Sequence, residues 1–218
     1  MAEQYHTLPE GQYSKGEEII NSITHGIGML LSIAGLVYLI YQAANFGTRW
    51  HLVSFIIYGI SLVLLYLAST LYHGIPVADW KDALNIFDRS AIYILIAGTY
   101  TPFLLSALRG PLGWWLFAII WGLTVFGLTI SLGLLPKLRK ASVVLYLAMG
   151  WLVLLAGRQL LGLLSPTSLI LLIVGGVSYT VGVVFYLWRK LPYNHAIWHL
   201  FVLGGSTAHY FSVLGLLG

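Results

Sequence analysis

The sequence predicts an all-α integral membrane protein, a bundle of seven transmembrane helices with its N-terminus cytoplasmic and its C-terminus outside. Three observations carry this. Hydrophobic residues make up 59% of the 218 and charged ones only 8%, more apolar surface than a soluble domain can enclose. The apolar residues come in seven runs of about 20, each long enough to cross the roughly 30 Å hydrocarbon core. The basic residues also alternate in side. With the N-terminus inside, Lys15, Lys81, Arg89, Lys137, Arg139, Lys140, Arg189 and Lys190 fall on the inner side, and Arg49, Arg109 and Arg158 on the outer. Short loops retained in the cytoplasm carry such an excess.

The runs lie at 19–43, 50–73, 83–107, 112–135, 142–163, 168–188 and 194–217. Turn-forming stretches separate them: Gly47-Thr48-Arg49, Gly74 to Asp82, Arg109-Gly110-Pro111, Pro136 to Lys140, Ser165-Pro166-Thr167 and Arg189 to Pro192. Connections this short leave a single transmembrane domain over 19–218, preceded by a polar segment over 1–18. That segment sets Glu3, Glu10, Glu17 and Glu18 against Lys15. A signal peptide starts basic, so the first span is expected to stay in the mature protein.

Composition removes several classes of function. The absence of cysteine excludes disulfides, thiolate ligands and a cysteine nucleophile. The net charge of +4 sits at span ends and forms no stripe for nucleic acid, so membrane lipids are the expected partners. The lysines, Lys15, Lys81, Lys137, Lys140 and Lys190, lie in loops or at helix ends, leaving none within a span for a retinal Schiff base. No internal repeat of the transporter kind is present.

Counting crossings brings three distant histidines to one depth. The second span ends at Leu71-Tyr72-His73-Gly74, and the seventh begins just before His195 and His199 on the same side. The third span starts from that side too, with Asp88 in its first turns. His195 and His199 are four apart and share a helix face, as Ser69 and His73 do. Three imidazoles at one depth are the protein ligand set of a zinc ion that keeps a position open for water. Residues 196–198 are Ala, Ile and Trp, so any base must come from elsewhere, and Asp88 is the carboxylate of that layer. His25, His51 and His209 read as polar glue between helices. His209 lies about 21 Å along the helix from His195, too far to share its metal.

At this point the chain resembles the hemolysin III family, the bacterial branch of the progestin and adipoQ receptor family. The resemblance rests on Glu18-Ile19-Ile20-Asn21-Ser22-Ile23-Thr24-His25-Gly26, Ser69-Thr70-Leu71-Tyr72-His73, Asp88-Arg89 and His195-Ala196-Ile197-Trp198-His199, in the right order along the whole chain. It implies a zinc ion near the cytoplasmic side on the residues matching His73, His195 and His199. Ser69 and Asp88 would contact its water or its ligands. Adiponectin receptors of this family look like ceramide hydrolases, and alkaline ceramidases are proposed relatives with a similar site. The family name implies pore formation or lysis instead.

The expected function is a zinc-dependent intramembrane hydrolase of a lipid amide or ester, with Asp88 as general base and Ser69 orienting the water. The alternative is a receptor-like or cytolytic protein whose zinc is structural, with Asp88 as a fourth ligand. The expected location is the bacterial plasma membrane.

Overall fold

A computed structural model of the protein describes residues 13–218. Its helices are α1 (Lys15–Phe46), α2 (Arg49–Gly74), α3 (Ala78–Pro102), α4 (Pro111–Ser131), α5 (Ser142–Gly150), α6 (Gly157–Leu163), α7 (Pro166–Leu187) and α8 (Asn194–Leu214). Short π and 3-10 segments extend α3, join α5 to α6 and close the chain. Among the described residues, seven helical stretches are long and apolar enough to cross a membrane, the fifth being Pro136–Leu163. The protein is thus a multi-pass integral membrane protein. Of the polar segment expected over 1–18, residues 1–12 lie outside the described residues, and Lys15 to Glu18 form the first turn of α1.

Helix α1 turns its apolar residues outward to lipid and its polar ones inward. Ile19, Ile23, Ile27, Leu30 and Leu31 of α1 are exposed, whereas Glu17, Asn21, His25, Gly28 and Ser32 are buried. These buried positions recur every three or four residues and form one polar face of the helix. Helix α1 packs on α2 and α8, α2 on α3, and α7 on α8. The approach of α1 is close at Gly28, where a Cβ would stand 2.7 Å from the Tyr66 ring and 2.9 Å from Leu203. The small-residue series Gly204, Ala208, Ser212 faces α7, and Ser212 Oγ donates to the Ser168 carbonyl at 2.6 Å.

The first turns of α1 and α8 are clamped together. Ser14 and Glu17 form a reciprocal capping box at the start of α1. Glu17 Oε1 also accepts the Tyr193 N–H at 3.0 Å. Tyr193, just ahead of α8, is left-handed with φ 57°, a conformation costly without such a restraint. Asn194 then caps α7 through the Phe185 and Tyr186 carbonyls, both at 3.1 Å. These contacts set the start of α8, and with it His195 and His199, against α1.

Candidate metal centre

Three residues remote in sequence meet at one end of the bundle. His73 comes from the last turn of α2, and His195 and His199 from the first two turns of α8; they are 4%, 8% and 1% exposed. Each offers a ring nitrogen, and these atoms lie within 4.8 Å of one another, an arrangement that could hold a metal ion. The Nε2 atoms of His73 and His195 are 3.2 Å apart. Crossing counts predicted this convergence.

The opposite nitrogen of each ring is already engaged. His73 Nδ1 lies 2.5 Å from Glu18 Oε2, and the other oxygen of Glu18 takes the Lys81 ammonium at 3.1 Å. An ionised carboxylate only accepts, so Nδ1 carries the proton and Nε2 the lone pair. His199 Nδ1 lies 3.2 Å from the Thr24 hydroxyl. Thr24 commits its own hydrogen to the Ile20 and Asn21 carbonyls at 2.9 and 3.0 Å. It therefore receives the His199 proton, and the lone pair again falls on Nε2.

His195 Nδ1 lies 3.0 Å from the Tyr13 hydroxyl, and the Tyr13 ring covers His195 and His73 at centroid distances of 4.8 and 5.6 Å. Burial first, and then the neighbouring Tyr186, Tyr72, Asp88 and Glu18, pushes this hydroxyl above the ordinary tyrosine range. Hydrogen bonds of this kind to the far nitrogen orient imidazole ligands and raise their basicity. All three come from α1 or the residues leading into it, so α1 is a wall of the site that the sequence reading left out.

Ser69 and Asp88 stand beside the histidines as a bonded pair. Ser69 is buried one turn before His73, and its hydroxyl hydrogen-bonds the Asp88 carboxylate, which also interacts electrostatically with His73. Asp88 lies outside the three-histidine group. Arg89 also interacts electrostatically with Asp88 but forms no ion pair with it, its guanidinium reaching Ser142 Oγ at 3.5 Å; the ion pairs among the described residues are those of Glu18 with His73 and Lys81.

The remaining histidines divide. His209 Nε2 meets the Leu172 carbonyl of α7 at 3.0 Å, as interhelical glue should. His51 caps α2, its Nδ1 accepting the Thr48 N–H at 3.1 Å. His25 is different: it stacks on His199 with centroids 3.4 Å apart and planes 10° apart, and neither of its nitrogens has a hydrogen-bond partner. The expectation of glue fails for His25.

Comparison with known proteins finds similarity over nearly the whole chain. The family described as Haemolysin-III related matches residues 13–210. A Bacillus subtilis (strain 168) protein named Hemolysin-3 homolog is 53% identical over 198 residues, 91% of this chain and 93% of the relative. The Hemolysin-3 of Bacillus cereus is 52% identical over 198 residues, 91% of this chain and 90% of that one. The human Monocyte to macrophage differentiation factor is 29% identical over 206 residues, covering 90% of this chain and 83% of its own length.

Proposed function

This chain belongs to the Haemolysin-III related family, and from that premise we propose that His73, His195 and His199 hold a zinc ion in a hydrolase acting on an amide or ester bond of a membrane lipid. The observation that carries this reading is the convergence of three imidazoles beside an Asp88–Ser69 pair that stays outside their group. The donor set fits zinc. With Zn–N bonds of about 2.0–2.1 Å, tetrahedral ligand nitrogens stand about 3.3 Å apart; His73 Nε2 and His195 Nε2 are separated by 3.2 Å, and all three ligand atoms lie within 4.8 Å of one another. Three protein ligands with a position left open are the pattern of catalytic zinc, whereas structural zinc takes four.

When bound, zinc supplies Lewis acidity toward a carbonyl and lowers the pKa of water toward about 7. The protein's own residues do the rest. Asp88 accepts a proton at a carboxylate oxygen from the attacking water and returns it to the leaving amine or alkoxide. Ser69, bonded to that carboxylate, fixes which oxygen faces the water. Tyr13 and the buried face of α1 keep bulk water out, which strengthens each of these electrostatic contacts. The layer lies at one end of the spans, near the head-group region, where a lipid carbonyl arrives without leaving the bilayer. The count of basic residues supports a cytoplasmic N-terminus, and with it a site on the cytoplasmic side of a bacterial plasma membrane.

The test is fatty-acid release from N-acyl sphingoid and ester lipids by purified protein. Wild type is expected to hold about one zinc per chain and to turn over. Asp88→Asn should keep zinc and lose about a hundredfold or more in rate, and His199→Ala should lose both. Zinc-loaded protein that cleaves neither lipid class sinks the reading. The name Hemolysin-3 of the relatives at 52–53% identity favours a second one, a lytic membrane protein whose zinc only ties α2 to α8. Lysis that survives Asp88→Asn would decide for it.

A further inference from the structure

Helix α1 brings two more polar side chains to the histidine group, and the fold makes no use of their polar atoms. Asn21 is 0% and His25 3% exposed, yet Asn21 Oδ1 and Nδ2 and both nitrogens of His25 lack hydrogen-bond partners. Buried polar groups are costly without partners, and a helix in lipid has no water to supply them from outside. Leucine and phenylalanine would fill the same volumes at no such cost. What these residues do contribute is proximity to a ligand of the metal centre. The Asn21 backbone hydrogen-bonds His199, and His25 lies flat on the His199 ring at 3.4 Å. Stacking accounts for the faces of His25, with Tyr66 edge-on at 5.0 Å, but not for its nitrogens. Those nitrogens lie in a plane parallel to the one in which His199 presents its lone pair. Asn21 and His25 are four residues apart, so both project from the same side of α1. Asp88 and Ser69, by contrast, come from α3 and α2.

Amide and imidazole N–H groups are neutral donors of the kind that stabilise an oxyanion in a water-excluded site. We propose that Asn21 and His25 form an oxyanion subsite of the metal centre, donating to one oxygen of a carboxylate-class ligand whose other oxygen sits at the histidine group. The proposal rests on the metal-site reading above and deepens it by separating two walls: Asp88 and Ser69 manage the proton, Asn21 and His25 the negative oxygen.

The probe is acetate, added to protein loaded with Co2+, whose visible bands report on ligands at the metal. Wild type is expected to bind acetate. Asn21→Leu, Asn21→Asp and His25→Phe should each weaken it about ten- to hundredfold, the range for a lost hydrogen bond to a charged group, while keeping one Co2+ per chain. Asn21→Leu should also melt no lower than wild type, because it removes an unpartnered polar group; a structural asparagine would give the opposite. Unchanged acetate affinity in all three variants overturns the subsite. So does loss of Co2+ from the variants, which would make the pair supports of His199. A wild type that takes up no Co2+ overturns subsite and metal centre together. Acetate binding that responds to the variants in a protein inactive on every lipid supports the subsite and fells only the hydrolase.

Discussion

Glu18 holds His73 from a different helix: its Oε2 lies 2.5 Å from His73 Nδ1, while Oε1 takes Lys81 at 3.1 Å. Three helices, α1, α2 and α3, thus meet at one carboxylate. The bond fixes the ring and its tautomer, and a negative partner raises the basicity of the opposite nitrogen. Glu18→Gln preserves size and removes charge. It is expected to weaken zinc binding about ten- to a hundredfold, read by competition with a chromogenic chelator. Lys81→Met, one bond further from the ring, should cost less than Glu18→Gln. Equal zinc affinity in Glu18→Gln and wild type would remove the carboxylate from the site.

Tyr13 should govern how fast metal leaves. Its ring lies over His195 and His73 and its hydroxyl meets His195 Nδ1 at 3.0 Å, so an outgoing ion must pass it. Tyr13→Ala is expected to speed zinc transfer to excess chelator by an order of magnitude or more, with stoichiometry still near one. Tyr13→Phe keeps the cover and loses one bond, so its release rate should fall between the two. Identical rates in all three proteins would show that the exit lies elsewhere.

The sequence made the depth of the site legible and its azimuth illegible. Crossing number alone sets the level of His73, His195 and His199, so the histidine group followed from counting. Which face α1 turns inward depends on how it packs against α2 and α8, and no count supplies that. Crossing counts therefore give no role to Glu18, Asn21 and Thr24, and His25 reads as glue. A signal was present: Glu17, Asn21, His25 and Ser32 line one side of an otherwise apolar span, a spacing at which polar residues in lipid mark an inward face. The interruption of the fifth span was less visible still. Trp151–Ala156 is apolar throughout, and the residue that accommodates its 3-10 turn comes from α3.

Among the glycines of α1, Gly28 stands closest to its neighbours, and it separates packing from chemistry. A Cβ there meets Tyr66 ring carbons at 2.7 Å and Leu203 Cδ2 at 2.9 Å, so Gly28→Val must push α1 away from α2 and α8. An overpacking cost of about 1–3 kcal/mol is expected, along with weaker zinc binding, because Glu18 and Thr24 move with the helix. Gly26→Ala is the control: its Cβ would meet nothing nearer than Thr70 Cγ2 at 3.7 Å. It should leave both melting temperature and zinc affinity at or above wild type. Gly28→Val with unaltered zinc affinity would show that α1 does not position the ligands.

The Tyr100 hydroxyl mends a broken helix. Between α5 and α6 the chain tightens into a 3-10 turn over Trp151–Ala156, which takes backbone groups out of register with their usual partners. Inside a bilayer such groups must find partners within the protein. Tyr100 OH lies 2.8 Å from both the Met149 and Gly150 carbonyls and accepts the Val153 N–H at 2.7 Å. Tyr100→Phe leaves the ring packed and strips these bonds. The expected loss is about 1–3 kcal/mol for buried groups left unsatisfied, measured as a shift in unfolding by a denaturing detergent. Amide exchange should rise at Val153 while zinc stoichiometry stays at the wild-type value. If Val153 exchanges no faster in the variant, the turn is held by its own helix and the hydroxyl is incidental.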